Sequence, residues 1–249
     1  MARKIRLDLL LVRRGLAASR QRARELIEQG AVLVDGVPAS RPAAQVAVDQ
    51  AIELQREDFP WVGRGALKLL GVLDPFGVDP TGLVAADLGA STGGFTQVLL
   101  ERGAARVYAI DVGKGLLHYK LRDDPRVVLM EGVNARHLES LPEPVDLVVG
   151  DLSFISIRLI LPVIARLLRP GGEAVILVKP QFEAGREAIG HGGRVRSDEA
   201  REAAIAGVRD AVGEVGLELL GGMDSPVPGA RSGNVEHFLH LRRPLGPPC

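Results

Sequence analysis

Residues 83–96 read Leu-Val-Ala-Ala-Asp-Leu-Gly-Ala-Ser-Thr-Gly-Gly-Phe-Thr, an apolar run followed by a glycine-rich loop. The apolar run is typical of a buried parallel strand, and a helix is predicted from Phe95 to Arg102. Glycines between a strand and a helix let the backbone approach a ligand at the carboxyl end of a sheet. The predicted ligand-contacting residues of this loop are Gly89, Ala90, Ser91, Thr92, Gly93, Gly94 and Phe95.

A carboxylate follows the next predicted strand. Asp111 lies about twenty residues after the loop, where it can accept hydrogen bonds from a ribose diol. A dehydrogenase would also have this carboxylate, although Ser91 replaces the second glycine of the nicotinamide fingerprint. The loop and Asp111 therefore do not separate nucleoside cofactors. The alternative is that Gly93 and Gly94 only pack the strand on the helix, and that Asp111 only caps a turn.

Strand and helix patterns alternate along the rest of the chain, which favours a doubly wound α/β sheet. Helices are predicted at Phe95–Arg102, Ile155–Leu168 and Ser197–Val215. The predicted strands are Leu83–Leu88, Arg106–Val112, Val127–Glu131, Asp146–Asp151, Ala174–Lys179, Leu217–Leu220 and Val235–Leu241.

The first 60 residues have a different pattern, and the segment from Met1 to Gly30 carries a clear excess of basic over acidic residues. Asp8 is expected to cap a helix from Leu9 to Arg14, and Ser19 is expected to cap a second helix that ends at Gly30. A hairpin is predicted around Asp35-Gly36, with a further strand from Ala51 to Leu54. A small, basic αα-β module of this kind is typical of a domain that binds nucleic acid.

Composition narrows the class of protein. The chain has 249 residues, 46% of them hydrophobic and 25% charged, with balanced charge. These values suit one medium α/β domain with a small companion. No apolar run approaches the roughly 20 residues of a membrane span, and no secretory signal is found, so a cytoplasmic protein is expected. The single cysteine, Cys249, excludes an internal disulfide or a cysteine cluster.

Four residues then carry a specific resemblance. They are Lys68 in Arg64-Gly65-Ala66-Leu67-Lys68, Asp151 in Gly150-Asp151-Leu152-Ser153-Phe154, Lys179 in Lys179-Pro180-Gln181-Phe182, and Glu236 in Gly233-Asn234-Val235-Glu236. With the glycine-rich loop they resemble the Lys-Asp-Lys-Glu tetrad of FtsJ-like ribose 2'-O-methyltransferases, and in particular the TlyA group, often labelled hemolysins. The N-terminal module resembles an S4-like RNA-binding domain through residues 13–20 and Val34-Asp35-Gly36.

The resemblance implies a Rossmann-like class I methyltransferase with a small N-terminal S4-like α/β domain. It implies an S4-like domain at 1–59, a linker at 60–65, a methyltransferase domain at 66–243 and a tail at 244–249. The implied activity is S-adenosylmethionine (SAM)-dependent methylation of cytidine 2'-hydroxyls in 23S and, in some members, 16S ribosomal RNA. Arg3, Lys4 and Arg6 resemble the longer N-terminal arm of the dual-specificity members. A monomer is expected.

Roles for these residues follow from the chemistry. Because a ribose 2'-hydroxyl is a poor nucleophile, Lys179 is expected to act as the base in its neutral form beside the second cation, Lys68. Asp151 and Glu236 orient the lysines, and all four are expected at the ends of core strands. Asp151 and Asn134 complete the implied cofactor-binding set. The expected RNA-binding residues are Arg3, Lys4, Arg6, Arg13, Arg14, Arg20, Arg22, Arg24, Arg64 and Phe154.

Several alternatives remain open. Phe154 either stacks on a base or belongs to the core. The glycine- and arginine-rich segment 185–196 is either a flap that orders on RNA or a plain surface loop. His237 and His240 point to opposite faces of a predicted strand, so no metal site is expected. For the whole protein, the alternatives are an RNA-binding ribosome-assembly factor with little transferase activity and a membrane-active hemolysin, which the sequence opposes.

Overall fold

The computed structural model of the chain describes residues 4–17, 19–28, 30–54, 61–229 and 233–246. The chain forms two compact units, Met1–Pro60 and Trp61–Cys249. Arg3, Pro60 of the predicted linker and the last three residues of the predicted tail lie outside the described residues.

In its described residues the first unit has two helices and two small antiparallel sheets. The helices are α1 (Leu7–Arg13) and α2 (Arg20–Glu28), and the strands are β1 (Lys4–Arg6), β2 (Val32–Val34), β3 (Val37–Pro38), β4 (Gln45–Ala47) and β5 (Ile52–Leu54). Strand β1 pairs with β4, while β2 lies between β3 and β5. Leu7, Leu10 and Leu11 of α1 pack with Ala23 and Ile27 of α2 in its core.

Local signals account for two of its features and fail for a third. Ser19 Oγ accepts a hydrogen bond of 3.1 Å from the Arg22 amide at the start of α2, as predicted. Asp35 and Gly36 have φ angles of 49° and 76°, which form the predicted tight turn between β2 and β3. The prediction that Asp8 caps a helix from Leu9 is wrong, because α1 begins at Leu7 and Asp8 lies buried in its first turn.

The second unit is a seven-stranded sheet with helices on both faces. Its strands are β6 (Val84–Leu88), β7 (Arg106–Asp111), β8 (Val127–Glu131), β9 (Val145–Gly150), β10 (Leu168–Val178), β11 (Glu218–Asp224) and β12 (His237–Arg242). Its helices are α3 (Gly65–Phe76), α4 (Gly94–Glu101), α5 (Tyr119–Arg122), α6 (Leu161–Leu167), α7 (Pro180–Glu183) and α8 (Asp198–Glu214). The predicted doubly wound α/β architecture is confirmed.

The strand order places a ligand crevice at a defined point. The order is β11-β12-β10-β9-β6-β7-β8, with β12 antiparallel to both of its neighbours and the other pairs parallel. The chain moves outward from β6 through β7 to β8 and then returns to β9 on the other side of β6. Ligands bind at such a switch point, beyond the carboxyl ends of the strands. The crevice therefore lies between the segments that follow β6 and β9.

Both faces of this sheet are covered by helices, which explains the continuous apolar strands. Val148 and Ile176 belong to the core on the side of α6 and α8, whereas Val149 and Val175 belong to the core on the side of α3 and α4. Successive residues of a strand point to opposite faces, so a strand covered on both sides is apolar throughout.

Two helical regions differ from the prediction. Helix α3, which carries Lys68, was not predicted from the sequence pattern. The predicted helix Ile155–Leu168 is shorter: a single 3₁₀ turn, Ile157–Leu159, precedes α6, and Leu168 already belongs to β10. Pro162 lies in the first turn of α6, where a missing backbone N–H costs nothing.

Candidate active site

Four charged side chains meet at the carboxyl edge of the large sheet. Asp151 follows β9 and Lys179 follows β10, its parallel neighbour. Glu236 directly precedes β12, which runs antiparallel and so begins at the same edge. The expectation of a strand end is wrong for Lys68, which lies in the first turn of α3. A helix packed over the sheet supplies the fourth charge of the cluster.

The four charges form one chain of contacts. Lys68 Nζ lies 2.7 Å from Glu236 Oε2 and 3.2 Å from Asp151 Oδ2. Lys179 Nζ lies 2.6 Å from Asp151 Oδ1 and donates a 2.7 Å hydrogen bond to Ser153 Oγ. Asp151 therefore bridges the two lysines, and Lys68 bridges the two carboxylates.

The cluster is largely withdrawn from water. Lys68, Lys179 and Glu236 are 9%, 8% and 3% exposed. Burial alone would lower the pKa of Lys68, but the charges of Asp151 and Glu236 outweigh it and raise the pKa. Burial alone would raise the pKa of Asp151, but Lys179 and Lys68 outweigh it and lower the pKa. These contacts favour the ionised forms of Lys68 and Asp151.

A pocket opens beside one end of this cluster. Asp151, Ser153 and Lys179 form one wall, and the glycine-rich loop forms the other. Gly89, Ala90, Ser91, Thr92, Gly94 and Phe95 are the loop residues on this wall. Lys179 and Asp151 therefore face the pocket, whereas Lys68 and Glu236 support them from behind. A molecule in the pocket would meet one ammonium and one carboxylate group.

The glycine-rich loop combines a ligand cradle with tight packing. A Cβ atom on Gly94 would lie 2.9 Å from the Ala66 amide nitrogen, and one on Gly93 would overlap with Leu121 Cδ1. Gly93 also has φ of 99° at the start of α4. These glycines are therefore needed for packing, whatever the pocket binds. Phe95, expected at the ligand, lines the pocket but is 97% buried, with its ring 6.2 Å from that of Phe238.

Two further predicted cofactor residues shape the adjoining turns. Asp111 Oδ2 accepts a 2.7 Å hydrogen bond from the Ser91 amide, and its Oδ1 accepts one of 2.7 Å from Gly113. Asp111 thus caps a turn and also fixes the glycine-rich loop. Asn134 caps the 3₁₀ turn Ala135–His137 through a 3.0 Å hydrogen bond from the Arg136 amide.

Phe154 lies on the surface beside the cluster. Its side chain is 81% exposed, so the alternative that it belongs to the core is wrong. Its φ of 64° is unusual for a residue with a bulky side chain. Its ring centroid lies 5.1 Å from that of Phe182. An exposed aromatic ring held in this way is available for stacking.

In the first unit, arginines gather around a buried carboxylate. Asp8 is fully buried and accepts hydrogen bonds from Arg6 at 3.0 and 2.8 Å, from Arg20 at 3.1 Å and from Arg24 at 3.5 Å. The hydrogen bonds from Arg6 are the main cause that keeps the pKa of Asp8 well below its usual range. The three guanidinium groups remain between one third and one half exposed. The three arginines form one basic surface, and the buried Asp8 carboxylate holds their side chains in place.

Among the described residues of this unit, the predicted RNA-binding residues Lys4, Arg13, Arg14 and Arg22 are not hydrogen-bond partners of Asp8. Lys4 and Arg13 are exposed, Arg14 donates to the Val48 carbonyl at 2.6 Å, and Arg22 pairs with Glu25 at 3.1 Å. Arg64 is exposed and directly precedes α3 in the second unit.

The segment 185–196 is held in place by hydrogen bonds. Asn234 Oδ1 accepts from the Val195 amide at 3.0 Å, and Asn234 Nδ2 donates to the Gly193 carbonyl at 2.9 Å. Ile189 and Val195 also form an antiparallel bridge. Because Asn234 lies two residues before Glu236, the segment is tied to the residues that lead into β12, and one of these is the cluster residue Glu236.

Sequence reasoning missed several polar residues of the site. Ser153 contacts Lys179, Glu183 is buried beside the Phe154 segment, and Asp87 is fully buried below the glycine-rich loop. Thr96 Oγ1 donates to Asp87 Oδ2 at 2.7 Å, while burial raises the pKa of Asp87 to about 7. An acidic residue inside an apolar strand was the available signal for Asp87. The other two depend on contacts between distant segments.

His237 and His240 lie on opposite faces of β12, as predicted. His237 contacts Asp224 and Arg209, whereas His240 contacts Glu173 and stacks on Phe76. Within the described ranges, the acidic, histidine and cysteine side chains form no group that could hold a metal ion. Among the described helices, none has the length and apolar character required to cross a membrane.

Comparisons with known proteins match both units. The family model of FtsJ-like methyltransferases matches residues 61–243, and that of the S4 domain matches residues 5–52. The chain is 49% identical to the 16S/23S rRNA (cytidine-2'-O)-methyltransferase TlyA of Mycobacterium tuberculosis, over 97% of this chain and 91% of that protein. The aligned region therefore includes both units of the chain.

Solved structures give the same result for the fold. A structure described as a hemolysin, from Streptococcus thermophilus, is 38% identical with a TM-score of 0.76, covering 98% of this chain and 90% of that chain. An S-adenosylmethionine-dependent methyltransferase from Mesorhizobium loti is 16% identical with a TM-score of 0.54, covering 71% of this chain and 98% of that chain. The second similarity shows the fold of the large unit alone.

Proposed function

This chain belongs to the TlyA family of FtsJ-like methyltransferases with an N-terminal S4 domain, and we propose that it methylates the ribose 2'-hydroxyl of cytidine in ribosomal RNA. The methyl donor is SAM. The substrate class follows the activity named for the Mycobacterium tuberculosis relative, which covers 16S and 23S RNA. The proposed substrates are accordingly 23S RNA and, through the basic residues near the N-terminus, 16S RNA.

One observation carries the proposal: Lys68, Asp151, Lys179 and Glu236 form a connected, buried cluster whose Lys179 end faces the pocket at the glycine-rich loop. A single lysine or glutamate at a strand end is usually a solvated residue of little energetic weight. Four such residues in one chain of contacts beside a ligand pocket are the arrangement expected of a catalytic site.

The pocket suits a nucleoside cofactor. Its loop wall consists mainly of small residues, and Asp111 holds the loop by a hydrogen bond to the Ser91 amide. Residues 89–95, Asp111, Asn134 and Asp151 would hold SAM, which supplies a methyl group on a positively charged sulfur. The carboxylates of Asp111 and Asp151 suit the ribose hydroxyls and the positive charge of this ligand.

The cluster residues divide the chemical work. Lys179 faces the pocket and, in its neutral form, accepts the proton that leaves the 2'-hydroxyl. Asp151 contacts both lysines and so fixes Nζ of Lys179 relative to the pocket. Lys68 and Glu236 form the buried support that holds Asp151 in its position. Positioning of this kind supplies much of the rate enhancement of a transfer between two bound groups.

The remaining predicted residues would bind RNA. Phe154 is placed to stack on a base near the target once the nucleotide leaves its helix, at a cost of a few kcal/mol. Stacking of a base on an aromatic ring contributes about 1 to 3 kcal/mol to binding. Arg6, Arg20 and Arg24 would bind phosphates from the S4 domain, and Arg64 from the methyltransferase domain.

We also propose the wider organisation of the enzyme. The division into residues 1–59, 60–65, 66–243 and 244–249 is supported by the two family matches. The enzyme acts as a monomer without a metal ion. A ribosomal substrate places it in the cytoplasm.

Transfer of a labelled methyl group from SAM to unmodified 30S and 50S subunits tests the proposal. The wild-type protein should label at least the 50S subunit, and Lys179→Ala should not. Lys120→Ala, which removes an exposed lysine of α5, is the matched control and should retain activity. Tight binding of RNA without transfer by the wild-type protein would favour an assembly factor instead.

A further inference from the structure

Glu183 is a buried carboxylate to which the chemistry above gives no role. Its side chain is fully buried at the end of α7. Glu183 Oε2 accepts a 2.6 Å hydrogen bond from Ser156 Oγ, and Oε1 accepts one of 2.6 Å from the Ile157 amide. Arg158 approaches Oε2 at 3.5 Å and donates to the Glu183 carbonyl at 3.1 Å. A carboxylate is buried at a cost, so its hydrogen bonds to a single segment must offset that cost.

These bonds belong to a series that joins two segments of the chain. Residues 151–157 and 179–183 contact each other in order: Lys179 with Asp151 and Ser153, Phe182 with Phe154, and Glu183 with Ser156 and Ile157. The first contact belongs to the catalytic cluster, and the last is the Glu183 anchor. Phe154 lies between them.

The backbone at Phe154 requires such anchors. Its φ of 64° lies in the left-handed region, which is unfavourable for a residue with a bulky side chain and persists only where the surroundings fix it. The side chain is 81% exposed, so it gains little from burial. The contacts on both sides of Phe154 therefore hold the strained turn.

We propose that Glu183 is a positioning residue that clamps residues 151–157 and presents the Phe154 ring to the target nucleotide. The inference rests on the proposed function, because it assigns the ring to RNA. Glu183 acts through Phe154 and does not touch the substrate.

The test compares Glu183→Gln with the wild-type protein. A glutamine keeps the shape but loses the negative charge that faces Arg158 and puts an NH2 group where one carboxylate oxygen accepts, so the charge-assisted hydrogen bonds of the anchor are weakened. We expect the KM for RNA to rise about tenfold, equivalent to about 1.4 kcal/mol, with unchanged affinity for SAM. Glu214→Gln, at an exposed glutamate of α8, is the matched control and should not change KM.

A double-mutant cycle separates positioning from a general loss of structure. If Glu183 acts through Phe154, Glu183→Gln should have no further effect on KM in a Phe154→Ala background. Effects that simply multiply would overturn the proposal. Should Glu183→Gln fold poorly, Ser156→Ala removes one hydrogen bond of the same anchor and should show the same dependence on Phe154.

Amide hydrogen exchange tests the clamp without any activity. Exchange at the Ile157 amide and its neighbours should accelerate in Glu183→Gln and remain slow in Glu214→Gln. Faster exchange in a protein that does not methylate RNA would refute the proposed function while supporting the clamp. Unchanged exchange together with an unchanged KM would show that Glu183 does not position this segment.

Discussion

Replacing Lys68 with methionine removes the ammonium group that lies between the carboxylates of Glu236 and Asp151. The two ion pairs are 2.7 and 3.2 Å long, and Glu236 is 3% exposed, so water cannot replace the lost partner. Breaking a buried pair by removing one member costs about 3 to 5 kcal/mol, because a buried charge remains uncompensated. We expect the free energy of unfolding of Lys68→Met at pH 7 to be lower than that of the wild-type protein by this amount.

Urea denaturation followed by tryptophan fluorescence measures this loss. Trp61 is the only tryptophan and packs against the core of the large unit, so it reports on that unit. With a slope of about 2 kcal/mol per molar urea, the midpoint should fall by roughly 1.5 to 2.5 M. Arg102→Met is the matched control: it breaks a two-bond pair with Asp74 that is 36% and 68% exposed, and it should cost less than about 1 kcal/mol.

The pH dependence of the loss follows from the two shifted groups. The lowered pKa of Asp151 stabilises the fold above its ordinary value of 3.8, and this stabilisation is lost as pH falls. The raised pKa of Lys68 stabilises the fold below its ordinary value of 10.5, and this is lost as pH rises. The full stability difference between the wild-type protein and Lys68→Met should therefore appear between pH 3.8 and pH 10.5. A loss at pH 7 no larger than that of Arg102→Met would refute the buried-cluster argument.

Four further predictions concern other residues. Burial raises the pKa of Asp87 from 3.8 to about 7, so the wild-type protein should lose stability as pH rises from about 4 to about 7, by up to about 1.4 kcal/mol per pH unit, and no further above that range; Asp87→Asn should show no such loss when urea midpoints are measured from about pH 4 to about pH 8. Asp8→Asn removes a negative charge but releases the basic surface, so filter binding should show weaker RNA affinity, and tighter binding would contradict the anchoring role. Reversing the charge of both Arg20 and Arg24 with glutamate should lower the slope of log affinity against log salt by about 2; an unchanged slope would place the RNA elsewhere. Lys179→Arg should be as inactive as Lys179→Ala in methyl transfer with normal SAM binding by calorimetry, because a guanidinium group does not lose its proton, and substantial turnover in either variant would remove Lys179 as the base.

Local signals in the sequence were sufficient for several elements. Strand β8 was predicted with its observed bounds, because an apolar run in a parallel sheet has a strong pattern. The Asp35-Gly36 turn and the Ser19 cap depend on backbone preferences of single residues, which act over a few positions. The strand ends after β9 and β10 placed Asp151 and Lys179 at one edge, which follows from parallel pairing alone.

Other features depend on contacts that no local pattern contains. Helix α3 was missed because it has no side-chain cap and contains Pro75. Lys68 pairs with Asp151 and Glu236, which lie 83 and 168 positions further along the chain. Asp8 has the sequence signal of a helix cap, but its carboxylate instead accepts hydrogen bonds from Arg6 and from Arg20 and Arg24 of α2. The exposure of Phe154 likewise depends on how residues 151–157 are anchored.

The position of the transferred methyl group tests the central claim most directly. RNA from 50S subunits incubated with the protein and SAM would be digested to nucleosides and analysed by mass spectrometry, with Lys179→Ala as the inactive control. We predict 2'-O-methylcytidine from the wild-type reaction and none from the variant. A methyl group on a base, or equal yields from the two proteins, would contradict ribose methylation by this cluster.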